Sequence, residues 1–207
     1  MEISESVRWV KDVCLGSLQI KLRNKDPQTA LHAANTSKLA AVVAGRLGIK
    51  DTLELRLGCL LHDVGKLLLS IEPAKRKLTY TDYEVVQKHP ILGYMILKEA
   101  GYPNEVAEVA LYHHERIDGR GYPFGISRNE IPLFARICAV VDAFDVMVSG
   151  RPYQPRIPVA AALNELHRHS GLQFDPIVVT ALAQAAPQIL GTIVSPRNLA
   201  IRVSSHA

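Results

Sequence analysis

Cysteine is scarce in this sequence: Cys14, Cys59 and Cys138 are the only three, widely separated and in apolar surroundings. An odd count without a Cys-x-x-Cys pair argues against a disulfide framework and suits buried thiols in a reducing compartment. Long apolar runs are missing as well. The longest, Leu39 to Ala44, is far too short to span a bilayer, and no signal-peptide core follows Met1. A strong excess of one charge is also lacking: the net charge is +4, and the basic residues are scattered apart from Lys75-Arg76-Lys77. Such a balance does not imply a nucleic-acid polymer as partner, although a few extra cations favour an anionic small molecule. Alternating strand patterns are nearly absent, with Thr192-Ile193-Val194 and Ile201-Arg202-Val203 the only candidates. These absences imply a soluble, cytoplasmic protein with no membrane partner.

What is present is helical periodicity, in 207 residues that are 48% hydrophobic and 21% charged, enough for one full core. Val10, Cys14, Leu18 and Leu22 share one face of a first amphipathic helix, which also carries Trp9. An Ala-rich helix runs from about Thr29 to Leu47 and ends at Gly48. Asp51-Thr52-Leu53-Glu54 opens a helix that delivers His62 at its end, and Thr81-Asp82-Tyr83-Glu84 opens one that carries His89. Pro103-Asn104-Glu105 starts another, ending at His113-His114. The segment Ser127 to Pro132 restarts a helix that runs through Asp142 to about Val148, and further helices follow Pro158 and Asp175-Pro176. The reading is all-α: an N-terminal amphipathic helix over residues 1–25, a helical-bundle domain over 26–186 and a C-terminal tail over 187–207.

Candidate chemistry gathers at helix ends. His113-His114-Glu115 leads into Asp118-Gly119-Arg120-Gly121-Tyr122-Pro123; upstream lie His62-Asp63-Val64-Gly65-Lys66 and His89-Pro90, and downstream lies Asp142 in Val140-Val141-Asp142-Ala143-Phe144-Asp145. His32 or His89 taken alone reads as a structural histidine, and His167, His169 and His206 read as surface residues. The ordered set on consecutive helices is different, because a bundle can point all of it at one centre. Imidazole with carboxylate suits manganese, iron, zinc or nickel better than magnesium. Asp63, with two oxygens, is a natural shared ligand for two cations, and a pair about 3.5–4 Å apart clamps an in-line displacement at phosphorus. Lys66, one turn on, is placed to bind a phosphate oxygen, a role compatible with a plain helix-end cation favoured by the dipole.

In order and spacing, these motifs resemble the HD-GYP subfamily of the HD phosphohydrolases, over roughly Pro27 to Val179. The likeness includes His32, His62 to Lys66, His89-Pro90, His113 to Pro123, Asp142 to Asp145, Arg151-Pro152-Tyr153 and Phe174-Asp175-Pro176. It implies an HD-type helical bundle and a metal-dependent hydrolase of cyclic di-GMP, yielding linear pGpG or, with a second cut, GMP, through a hydroxide bridging two metals. Carried over, it places His32, His62, Asp63 and Asp142 around one cation, and Asp63, His89, His113 and His114 around the other. Asp63 and Lys66 would be catalytic, and Lys66, Tyr122 and Arg151 would contact the substrate. The Gly121-Tyr122-Pro123 loop would also be a docking surface for GGDEF domains. Three positions depart from the pattern. Gln28 replaces a glutamate that supports a third metal, so two metals are expected; Gln154 replaces a basic residue that grips phosphate; Asn35 replaces an arginine. The alternatives are a slow sensor or GGDEF-docking module, which Gln154 favours, and a phosphohydrolase for another nucleotide, because an HD-type metal core serves many phosphoesters.

Overall fold

Local chemistry sets most helix boundaries. The computed structural model describes residues 15–25, 27–70, 79–150 and 155–189, so Trp9, Cys14, Arg151, Gln154 and the segment from residue 190 onward lie outside the described residues. Helix α1 (Leu15–Lys25) is followed by α2 (Pro27–Arg46), which begins at Pro27 rather than near Thr29, since proline's fixed φ suits the first turn of a helix. Helix α3 (Leu53–Leu61) ends with His62 as its C-cap, and a 3₁₀ segment, Val64–Leu68, carries Lys66. Asp51 accepts from the Leu53 amide at 3.1 Å, and the N-cap Thr52 makes no side-chain cap.

The segment before His89 differs from expectation. A capping box forms two residues earlier, between Thr79 and Asp82, and opens a short helix α4 (Tyr80–Val86). His89 does not ride on that helix: it opens a separate helix, α5 (His89–Glu99), with Pro90 in its first turn, where a missing N–H costs nothing. Helix α6 (Asn104–Tyr112) has His113 as its C-cap. A Ser127–Glu130 capping box closes on a 3₁₀ turn (Arg128–Glu130), and the long helix α7 (Leu133–Ser149) starts only after Pro132. Helices α8 (Val159–Arg168) and α9 (Pro176–Ile189) complete the described bundle. Helix α9 continues past residue 186 to Ile189, which is fully buried. No strand occurs among the described residues, only an isolated bridge between Ser170 and Phe174.

Two apolar clusters organise the packing. The larger joins α2, α3, α7, α8 and α9 through residues such as Leu39, Val43, Leu55, Phe144, Leu166 and Leu182, all fully buried. The smaller joins α1, α5 and α6 to the end of α3 through Leu18, Leu61, Val64, Ile96, Leu97 and Val106. Helix α3 contributes to both, and the chain leaving it, His62-Asp63, runs along the seam. The face expected of the first helix is borne out at Leu18 and Leu22, which are 0% and 3% exposed. Gly65 makes the seam possible: a Cβ there would lie 2.0 Å from the His89 carbonyl oxygen, so any side chain would force the two backbones apart.

Candidate metal centre

Five histidines and two aspartates converge at this seam. Three of the histidines are aimed by main-chain carbonyls at helix ends. His62 donates from Nδ1 to the Cys59 carbonyl (2.7 Å), His89 to Val86 (2.6 Å) and His113 to Ala110 (2.9 Å), each three residues back. Such a bond fixes the tautomer and leaves Nε2 as a bare lone pair directed away from the backbone. His32, in the middle of α2, is aimed differently: its Nδ1 lies 2.7 Å from Asp145 Oδ2, and its Nε2 lies 2.8 Å from Asp142 Oδ1.

Asp63 sits between the groups. Its Oδ2 is 3.4 Å from His62 Nε2 and 2.6 Å from Lys66 Nζ, and its Oδ1 is 3.4 Å from His89 Nε2. That Oδ1 is buried and receives no hydrogen bond. Burial by itself would raise the Asp63 carboxyl, but Lys66 and His62 beside it hold it well below the usual carboxylate range. Asp142 is likewise raised by burial and then brought far lower by His32. The imidazoles move the other way. Burial first, then the Lys66 charge, pushes His89 down to about 3; burial also brings His114 down to about 4 and His113 well below its ordinary value. Neutral imidazoles facing ionised carboxylates form a ligand set.

The donor chemistry fits divalent cations. His89 Nε2 and His113 Nε2 face each other at 3.2 Å, and both Nδ1 positions are committed to carbonyls. Two lone pairs so placed repel unless they share a cation. Candidate ligand atoms close to within 4.8 Å in three groups: His89 with His113 and His114, His32 with His62 and Asp142, and His62 with Asp63 and His113. The third group links the other two. Every metal-ligand candidate read from the sequence is therefore brought together, and Lys66 stands against Asp63.

A cavity of about 520 Å³ opens beside the centre, and its lining includes His113, His114 and Asp142 of the centre together with Tyr122, Arg116 and Arg120. The Tyr122 ring stacks on His114 with centroids 4.7 Å apart. Burial, with Asp63 and Asp142 nearby, raises the Tyr122 hydroxyl, which stays protonated and able to donate. Lys66 is 23% exposed and is not part of this lining. His169, read as a surface residue, is 43% exposed and stands at the rim.

Sequence reasoning missed the groups that hold this site in shape. Asp145 is fully buried and binds His32, Asn35 Nδ2 (3.1 Å) and Ser149 Oγ (3.1 Å). Its signal was available: Asp142 and Asp145 are three apart on a helix and share a face. The bond to Asp145 also gives Asn35 a role that the sequence did not reveal. Glu115 is 3% exposed and accepts from the amides of Phe124 (2.7 Å) and Gly125 (3.2 Å), clamping the loop that carries Tyr122. Gly121 lets that loop fold down, since a Cβ would lie 2.5 Å from both the Arg116 nitrogen and the Glu115 Cα.

An all-helical bundle with a histidine–aspartate centre between two cores defines the class of protein: a helical scaffold that gathers imidazole and carboxylate groups able to hold metal ions. Residues 18–178 match the HD domain family, and the chain belongs to it, with the His113-to-Pro123 run of its HD-GYP branch. It is 38% identical over 184 residues to the cyclic di-GMP phosphodiesterase response regulator RpfG of Xanthomonas campestris pv. campestris, covering 84% of this chain and 48% of that protein. It is 34% identical to the 3′3′-cGAMP-specific phosphodiesterase 3 of Vibrio cholerae, covering 78% of this chain and 36% of that protein. The chain thus spans about half or less of the length of these relatives. The structure of Bd1817, an HDG"Y"P protein from Bdellovibrio bacteriovorus, superposes with a TM-score of 0.66 at 22% identity, over 89% of this chain and 62% of the other, and so shares its fold. Among the described residues no helix is long and apolar enough to cross a membrane.

Proposed function

We propose that the chain is a metal-dependent phosphodiesterase that opens the 3′–5′ phosphodiester of cyclic di-GMP to linear pGpG, and cuts again to GMP. The carrying observation is Asp63, whose two oxygens face imidazoles of two different histidine groups at 3.4 Å each. Two divalent cations, iron or manganese foremost, with zinc and nickel compatible with the same donors, supply Lewis-acid charge to the phosphoryl oxygens and acidify the attacking water when bound. His32, His62 and Asp142 would hold one, His89, His113 and His114 would hold the other, and Asp63 would be available to both. Lys66 offsets the charge that develops on phosphate. Tyr122, stacked on His114, presents its hydroxyl and ring to the nucleotide. Arg151, outside the described residues, meets a phosphate or base. Gln28 is neutral and its Nε2 lies 3.5 Å from the Gly150 carbonyl, which supports two cations rather than three.

The relative specific for 3′3′-cGAMP supports a second reading, the hybrid dinucleotide as substrate. The names of the compared proteins give no support to a GGDEF partner for the loop. Product chromatography on protein loaded anaerobically with iron or manganese tests the proposal, with each dinucleotide supplied separately. A linear product that disappears with chelator is expected. Stoichiometric nucleotide binding without turnover, in protein that holds two metals, overturns the enzyme in favour of a sensing module.

A further inference from the structure

Lys25, in the last turn of α1, donates from its ammonium to three main-chain carbonyls: Lys66 at 2.9 Å, Leu67 at 3.2 Å and Leu69 at 2.9 Å. An ammonium has three donors and no acceptor, so these bonds match its full capacity. All three acceptors lie at the C-terminal end of the 3₁₀ segment Val64–Leu68, where carbonyls carry partial negative charge, and the Lys66 carbonyl also accepts from the Leu69 amide. The segment is held through apolar packing of its side chains, with Val64 fully buried and Leu67 and Leu68 against the smaller cluster. Its own bonds, such as Lys66 N to Asp63 O at 2.9 Å and Leu69 N to Lys66 O at 3.2 Å, belong to a helix type with poor hydrogen-bond geometry. Yet this segment carries Lys66, whose Nζ is 2.6 Å from Asp63 Oδ2.

Helix α1 also reaches the site from below. Leu18 packs in the same cluster as Leu61 and Val64, the residues that flank His62-Asp63. Apolar contact fixes where α1 lies, and the Lys25 ammonium fixes what the 3₁₀ turn does in response.

We propose that Lys25 is a positioning residue for Lys66, which makes α1 a lever: displacing this helix withdraws the ammonium, loosens the turn and lowers turnover without removing the cations. The inference rests on the phosphodiesterase reading above. Its test uses the full metal-loaded chain with Lys25→Met, Lys25→Gln and Lys25→Arg, each also in a Lys66→Ala background. Lys25→Met is expected to lower kcat about tenfold, the scale of a misplaced catalytic group, with KM and metal content unchanged. Lys25→Arg, which keeps charge and donors, recovers most of the loss. Lys25→Gln gives an intermediate loss and carries the test if the apolar variant does not fold.

The decisive result is non-additivity: once Lys66 is alanine, removing the Lys25 ammonium costs less than about twofold further, because groups acting through one another do not add. An equal loss in both backgrounds, or an unchanged kcat, overturns the proposal. Amide exchange over residues 64–70 is read in parallel and is expected to quicken in Lys25→Met and Lys25→Gln. That measurement separates the two failures. A wild-type chain that turns over no cyclic dinucleotide sinks the phosphodiesterase, whereas unchanged exchange sinks the lever.

Discussion

The imidazoles of the metal centre are aimed by two means, one on the side of nearby backbone and one on the side of a distant carboxylate. On one side, His62, His89 and His113 each borrow a carbonyl three residues back, at 2.6 to 2.9 Å, from the same helix for His62 and His113 and from the end of α4 for His89. On the other, His32 depends on Asp145, a carboxylate 113 residues away on α7. A backbone anchor survives any side-chain change and is neutral. A carboxylate anchor raises the basicity of its imidazole but exists only if α2 and α7 are packed in register. The first side is assembled locally and the second by tertiary structure.

The most severe way to break the comparison is to remove what the sides share. Asp63→Asn keeps the shape but leaves one neutral oxygen and an NH2 donor in place of two anionic oxygens, and is expected to abolish turnover and empty both cation sites, as read by metal analysis of the purified protein. One retained full-occupancy site would show that Asp63 belongs to one side alone.

Acid sharpens the contrast. His89 and His114 are held down to about 3 and about 4 by burial, below the roughly 6.5 of an unfolded-chain histidine. Between those values the unfolded chain binds more protons, so stability falls as the pH falls. Chelator-treated protein should lose stability from about pH 6.5 downward, by up to about 1.4 kcal/mol per pH unit for each histidine. Urea midpoints that stay level from pH 7 to 4.5 would contradict this.

Removing the carboxylate anchor should affect one side only. Asp145→Ala is expected to weaken one of the two cations about 10–100-fold, the usual cost of losing a partner behind a ligand, as measured by competition with a chromogenic chelator. Equal weakening of both would place Asp145 in a general structural role. The smallest effect is expected at Asn35→Ala, which deletes the 3.1 Å bond to Asp145. About 1 kcal/mol, or a melting shift of about 2–4 °C with metal content unchanged, is the scale for one such bond.

Much of the fold was legible because helix starts are written in short-range chemistry. Pro103, Pro158 and Asp175-Pro176 mark their helices where expected. The miss at His89 has a physical cause: Thr79-x-x-Asp82 and Thr81-x-x-Glu84 are both plausible caps, and the choice between them, with the break before His89, depends on how Gly65 packs against the His89 carbonyl. The ligand set was legible as a set of residue types in order. Asp145, Asn35, Glu115 and the Lys25 ammonium were not, because a buried polar side chain reveals its partner only once another element lies against it.

By itself, then, the sequence determined a helical fold across the described residues, with His62, His89 and His113 at helix ends, where each ring finds a main-chain carbonyl three residues back. Only the tertiary structure decided that Asp63 faces two histidine groups at once, that His32 is held by Asp145, and that α1 reaches the Lys66 turn. Those are contacts between residues dozens of positions apart, set by which apolar faces bury against each other at the seam between the two cores.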